Sequence, residues 1–254
     1  MKQNAPSTPQ FGSLLFIHGF LGQSRDGAFL NAPGWRHEAL DLFAPHEFSF
    51  EDYSFSSLSQ KIHQDVAPSL PGPRVLIAYS WGARVALHAL LRQPQVYSGA
   101  ILIGAHPGLR DEEEKKLRVI SDERWASRFF SEDWKTLLQD WNSQNVFQSS
   151  SAQENIRIEA EFSRASLALA LRNSSLGRQQ DLRPLLGSLS IPTLWIVGEE
   201  DHKFKALYSE LEALRLPLSH FIEIPHAGHR VHLDQPEALN REIQRFLKRF
   251  QPVF

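Results

Sequence analysis

Five short apolar runs, separated by stretches of helical periodicity, restrict this chain to an open, mostly parallel β-sheet covered by helices on both faces. The runs are LLFI at 14–17, RVLIAY at 74–79, GAILIGA at 99–105, PTLWIVG at 192–198 and HFIEIP at 220–225. Each has strand length, and most are apolar on both sides of the pleat, as strands buried on two faces must be. Between them, WGARVALHALLRQ at 81–93 carries apolar residues at helical spacing, and PEALNREIQRFLKRF near the C-terminus reads as an amphipathic helix entered through proline. The interval 106–182 breaks the alternation. No strand is expected there, and DEEEKKLRVI, RWASRFF, EDWKTLLQDW and ENIRIEAEFSRASLALALR read as helices. The expected organisation is therefore an α/β core of residues 1–105 and 183–254 with a helical lid at 106–182. The acids of DEEEKK need no functional reading, because acids at a helix start meet the positive end of its dipole.

Charge and composition narrow the partners. With 27 Lys and Arg against 29 Asp and Glu, and a formal net charge of −2, the chain is not basic enough to point to nucleic acid or a membrane surface. The absence of cysteine excludes disulfides, thiolate metal sites and thiol catalysis. The opening MKQNAPSTPQFGS lacks the apolar core of a signal peptide, and no stretch approaches 18 apolar residues, so a cytoplasmic protein is expected. No metal or organic cofactor is implied: the histidines lack ligand spacing, and no G-x-G-x-x-G follows a strand. Nothing in the sequence sets an oligomeric state.

In such a sheet, functional residues gather at the C-terminal ends of the strands. Ser80 follows RVLIAY, Asp201 follows PTLWIVGEE, and His229 follows HFIEIPHAG. A serine hydroxyl needs an imidazole to take its proton, and the imidazole needs a carboxylate to fix its tautomer and stabilise its cation. The order Ser…Asp…His is that of an α/β-hydrolase. A His-Gly-Phe turn after the first strand adds a backbone donor, so the N–H groups of Phe20 and Trp81 are the expected oxyanion hole. Taken singly, each residue has a plainer reading. Ser80 could be a helix N-cap, Glu199 and Glu200 flank Asp201, and His226 and His232 flank His229. His229 is preferred because it directly follows Gly228 in the AGH turn. Ala78 stands where a G-x-S-x-G elbow has its first glycine; one methyl is the smallest departure, and Gly82 keeps the second glycine.

Several further stretches carry a resemblance. LLFIHGFLGQSRDG, YSWGAR, GAHPGLRDEEEKKLRVISDERWASRF, LALALRNSSLGRQQDL, GEEDHKFKAL and HAGH together span nearly the whole chain. They resemble the menaquinone-pathway branch of the α/β-hydrolase fold, the 2-succinyl-6-hydroxy-2,4-cyclohexadiene-1-carboxylate (SHCHC) synthases. Departures are Ala78 and Ala83 where the family usually has glycine, Trp81 in place of a smaller aliphatic, and LDLFAPHEFSFEDYSF in place of D-x-P-G-H-G-x-S. The resemblance implies a lyase that removes pyruvate from a succinylated cyclohexene carboxylate, with the serine relay acting as base. It also implies a small polycarboxylate substrate. Arg84, Arg118, Arg164 and Lys203 are then the expected anion-binding residues, with Arg157 and Arg172 as further arginines of the lid. Tyr79 and Trp141 would wall the ring, although aromatic residues at such places serve equally as core. A serine esterase or C–C bond hydrolase on the same scaffold is the alternative.

Overall fold

A computed structural model describes residues 11–45, 52–150 and 157–252. Six strands form one sheet: β1 (Gly12–Ile17), β2 (Trp35–Leu40), β3 (Arg74–Tyr79), β4 (Gly99–Ile103), β5 (Thr193–Gly198) and β6 (Ser219–Ile224). All neighbours are parallel, in the order β2-β1-β3-β4-β5-β6. The five apolar runs correspond to β1, β3, β4, β5 and β6. The sixth strand, β2, is absent from the sequence reading for a physical reason. It lies at a sheet edge, and WRHEAL exposes Arg36 and His37, so it lacks the continuous apolar signal of a buried strand.

Side chains alternate between the sheet's two faces and build two cores. Leu15, Ile17, Leu76, Ala78, Ala100, Leu102, Trp195 and Val197 share one core with α1 (Phe55–Lys61) and α2 (Trp81–Arg92). Leu14, Phe16, Val75, Ile77, Ile101, Ile103, Leu194 and Ile196 pack on the other face, against residues from the C-terminal helix region. Burial on both faces explains why β1, β3, β4 and β5 read as unbroken apolar runs.

Between β4 and β5 the described residues contain no strand. The chain forms α3 (Glu112–Ser131), α4 (Trp134–Asn142), α5 (Arg164–Asn173) and the short α6 (Arg183–Leu186). Two sequence expectations change here. DEEEKKLRVI and RWASRFF are one continuous helix, α3, started by the Asp111 side chain, which accepts from Glu114 N–H. The described part of ENIRIEAEFSRASLALALR is not one helix. A 3₁₀ turn occupies Glu159–Glu161, Phe162 is extended, and Ser163 caps a fresh start at α5 by accepting from Ser166 N–H. The chain continues after β5 through α7 (His202–Glu212), and after β6 through α8 (Val231–Asp234) and α9 (Pro236–Leu247), the last with proline at its start. The core side of α9 is Leu239, Ile243, Phe246 and Leu247. Residues 46–51, within the departure from D-x-P-G-H-G-x-S, lie outside the described residues, as does 154–156.

Candidate active site

The strand order reverses between β1 and β3: from β1 the next strand in sequence lies on one side, and β3 on the other. The crevice beyond the carboxyl ends of such a pair is where parallel sheets bind ligands. A cavity of about 860 Å³ opens there, lined by Phe20, Ser80, Trp81, Arg84, Asp201 and His229 among others.

Ser80 sits in the sharp turn from β3 to α2 at φ 52°, ψ −112°, a left-handed conformation that a serine adopts only where its surroundings enforce it. Its neighbours make the turn. Ser80 N–H donates to the Ile103 carbonyl at 2.8 Å, and a Cβ on Gly82 would lie 2.2 Å from the His18 carbonyl oxygen and 2.6 Å from that of Ile17. Glycine at 82 is what lets α2 start against β1. Ala78 carries its methyl in full burial, in register with Ile17 and Leu102, one pleat before the contact that glycine relieves. Its side chain is part of the core, not of the turn's tight point.

The Ser80 side chain does not cap α2. Ser80 Oγ instead lies 3.0 Å from His229 Nε2, and His229 Nδ1 lies 2.6 Å from Asp201 Oδ2. His229 and Asp201 are nearly fully buried. This selects His229 over its neighbours. His226 is exposed, and His232 is buried against Tyr79 and Phe29, where burial pushes it down to about 4. Glu199 is used elsewhere, accepting from His226 N–H. Gly104, at φ +59°, leaves room for the imidazole: a Cβ there would come within 2.9 Å of His229 Cε1.

Phe20 and Trp81 both line the cavity beside Ser80. Trp81 is the first residue of α2, so its N–H has no partner within the helix. The peptide that carries Phe20 N–H is fixed from its other end, where Gly19 carbonyl accepts from His18 Nδ1 at 2.7 Å and from Gly22 N–H. His18 Nε2 accepts from Leu42 N–H at 3.1 Å, so the Nδ1 proton is assigned by the hydrogen bonds; burial keeps the ring below its ordinary pKa. The Trp81 indole turns away from Ser80 and donates to Ser174 Oγ at the end of α5 at 2.8 Å. The large side chain at this position thus ties the turn after β3 to the helices between β4 and β5.

The arginines divide. Arg84 lines the cavity and is buried; its Nη1 donates to the Ser174 carbonyl at 3.0 Å and to Gln179 Oε1 at 3.4 Å, both neutral acceptors. Burial first, and Arg118 second, push its guanidinium down to about 9, with Asp122 opposing. Arg118 also lines the cavity and gives Nε to both oxygens of buried Asp122, which Ser175 Oγ also contacts. Lys203, Tyr79 and Trp141 are further lining residues. Arg164 is not brought to the cavity, contrary to the expectation from its place in the sequence. As the first residue of α5 it reaches back to Glu159 and to the carbonyls of Phe129 and Glu132, and lies over Trp134. Arg172 pairs with Glu123. Arg157 does reach the cavity, and its two terminal nitrogens meet both oxygens of Asp26 at 2.9 and 2.8 Å, with both partners buried.

Sequence reasoning missed His106, Arg230 and Phe147 in the lining. Arg230 had a signal, since it directly follows His229; its guanidinium lies 3.9 Å from the centroid of the Phe147 ring. Among the described residues no cluster of three His, Cys, Asp or Glu could hold a metal, and no helix is long and apolar enough to cross a membrane.

Residues 14–242 match the model of the alpha/beta hydrolase family. The chain belongs to that family. It is 34% identical to a 2-succinyl-6-hydroxy-2,4-cyclohexadiene-1-carboxylate synthase of Serratia proteamaculans over 92% of each chain. It is 32% identical to the enzyme of that name from an Enterobacter species, over 94% of this chain and 93% of the relative. Among solved structures it is similar to MenH from S. aureus, with a TM-score of 0.83, 25% identity and 97% of each chain covered. A thermophilic esterase from Thermogutta terrifontis shares the fold at a TM-score of 0.73 and 21% identity, over 96% of this chain and 92% of the other.

Proposed function

We propose that this chain is a lyase that eliminates pyruvate from 2-succinyl-5-enolpyruvyl-6-hydroxy-3-cyclohexene-1-carboxylate to give SHCHC. The observation that carries this reading is one cavity holding both a serine–histidine–aspartate relay and a buried guanidinium, Arg84, whose bonds among the described residues go to neutral acceptors. A base alone would suit many hydrolases. A base beside a buried cation that no carboxylate meets among the described residues suits a substrate bearing several carboxylates. The names of the curated relatives support the same reaction.

On this reading Ser80 is the base. His229 Nε2 takes the Ser80 Oγ proton while Asp201 holds Nδ1–H and stabilises the imidazolium. The alkoxide takes a ring C–H proton, the electron pair shifts through the ring double bond, and the C–O bond to the enolpyruvyl group breaks. The departing enolate takes a proton and leaves as pyruvate, and no water is consumed. Backbone N–H groups of Phe20 and Trp81 stabilise the charge that spreads over the ring and its carbonyl. Arg84, Arg118 and Lys203 hold carboxylates, and Tyr79 and Trp141 wall the ring. The helices between β4 and β5, residues 106–182, act as the lid that carries these groups over the core. On this reading the reaction runs in the cytoplasm, on a small anion.

The test is a pyruvate-release assay on the purified protein with the succinylated cyclohexene substrate, run beside a neutral aryl ester. Pyruvate release with slow ester cleavage is the expected result. Rapid ester cleavage without pyruvate release would establish the hydrolase alternative, in which Ser80 attacks covalently.

A further inference from the structure

We propose that His106 is a specificity-determining residue whose Nε2–H donates to a carboxylate of the bound polyanion, beside Arg84 and Arg118. The proposal rests on the lyase reading for the identity of the anion, but its geometry stands by itself.

His106 follows β4 at the carboxyl edge of the sheet, is buried, and lines the cavity. Gly108 N–H donates to its Nδ1 at 3.0 Å. A nitrogen that accepts a hydrogen bond carries no proton, so the neutral ring has its proton on Nε2. The residue is held on two further sides. Its carbonyl accepts from Gln179 Nε2 at 2.9 Å, and its ring stands edge-on to Phe204 at 5.9 Å. The turn behind it is equally constrained: Gly108 has φ +116°, and a Cβ there would lie 2.3 Å from the Gln180 carbonyl oxygen. Nε2 is engaged by no residue among those described, so its donor is offered to whatever fills the cavity.

The surroundings say what that is. Burial, then the charges of Arg84, Lys203, Arg183 and Arg118, push His106 down to about 2, so the ring is neutral near pH 7. A fifth cation among these would add repulsion. A neutral donor adds a hydrogen bond to an anion without adding charge, and a ligand that offers no acceptor there leaves a buried donor unmade. The sequence carries no warning of this, because the H-P-G spacing that joins His106 to Gly108 does not mark the ring's other nitrogen as facing a cavity.

Two substitutions separate the donor from the turn. Asparagine in His106→Asn keeps an acceptor oxygen where Nδ1 receives Gly108 N–H but cannot reach the Nε2 position. Glutamine in His106→Gln places an amide N–H near Nε2. Wild type and both variants are compared by calorimetric Kd for 2-succinylbenzoate, an aromatic dicarboxylate with a succinyl arm, by KM and kcat for pyruvate release, and by thermal midpoint. The expected result for His106→Asn is a Kd and KM raised by about 10-fold, with the loss carried more by KM than by kcat and the midpoint kept. His106→Gln recovers most of that loss. Unchanged Kd and KM in His106→Asn overturn the proposal, as does a fall in midpoint and kcat shared by both variants. If wild type binds the probe but releases no pyruvate, the lyase reading fails while the Kd series still decides the role of His106. Wild type that does neither overturns both.

Discussion

The Arg84 guanidinium donates to the Ser174 carbonyl at 3.0 Å, joining the first turn of α2 to the end of α5 through a cation that no carboxylate touches among the described residues. Burying a charge without an opposite partner is costly, and a bound carboxylate offsets that cost. Arg84→Ala should therefore lower kcat/KM for pyruvate release by the equivalent of about 2–5 kcal/mol, the range for truncating one member of a buried charge pair. Cleavage of a neutral aryl ester should hardly change. Steady-state kinetics on both substrates check this, and equal losses on the two would mean that the lost bond to Ser174 had disturbed the fold. Arg84→Lys should recover little, because an ammonium cannot span the same acceptors and a carboxylate as a planar fork does.

Asp201 has two duties, and substitution can separate them. Its Oδ2 holds His229 Nδ1, and its Oδ1 accepts from Phe204 N–H at the start of α7. Asparagine preserves an N-cap acceptor but presents an amide that cannot stabilise the imidazolium. Asp201→Asn should thus keep the thermal midpoint within a few degrees while lowering kcat by about 10³- to 10⁴-fold. A near-normal kcat in Asp201→Asn, with the midpoint lost only in Asp201→Ala, would assign Asp201 to the helix rather than to the relay.

What the sequence made legible follows from how local each signal is. The strands buried on two faces, the elbow at Ser80 and the AGH turn at His229 are short-range patterns, and all emerge in the structure where the residues place them. The Ser80–His229 contact joins residues 149 positions apart, yet the shared rule that strand ends meet at one edge was enough to bring them together. Edge strand β2 is not legible because Arg36, His37 and Glu38 interrupt WRHEAL, whereas HFIEIP of the other edge strand keeps alternating apolar residues. The place of Arg164 is not legible, because position along a helix says nothing of which carbonyls a long side chain finds; it serves the end of α3 instead. His106 and Arg157 depend on tertiary partners, Gln179 and Phe204 for the first and Asp26 for the second, and periodicity does not encode those.

The elbow itself can be tested by moving one methyl. Adding it at position 82 sets a Cβ 2.2 Å from backbone oxygen, which cannot yield as a flexible side chain would. Gly82→Ala should destabilise the fold by about 1–3 kcal/mol or more and reduce activity further by shifting Ser80. Ala78→Gly removes a fully buried methyl and loosens a strand, so it should cost about 1 kcal/mol while leaving the turn intact. Urea unfolding of the two variants against wild type measures both. A stable Gly82→Ala with full activity would show that α2 can start without the close approach to β1.

Stability should fall in mild acid, and buried histidines set the window. Burial pushes His88 and His232 down to about 4, with the Arg84 charge adding to the effect at His88, and it lowers His18 and His63 in the same direction. In the unfolded chain each titrates near its ordinary value of about 6.5. Between the two values the unfolded state binds more protons, so stability rises with pH there. The contribution is complete above about pH 6.5 and is lost progressively as pH falls toward 4. His88 is the cleanest probe, since it lies outside the cavity lining, stacks on Phe55 at 4.3 Å, and has a buried Nε2 without a hydrogen-bond partner among the described residues. His88→Leu removes one proton from the difference, which flattens the stability slope by at most about 1.4 kcal/mol per pH unit. Urea midpoints at pH 7.5, 6.0 and 5.0 should fall less in His88→Leu than in wild type; parallel curves would place the acid sensitivity in other groups.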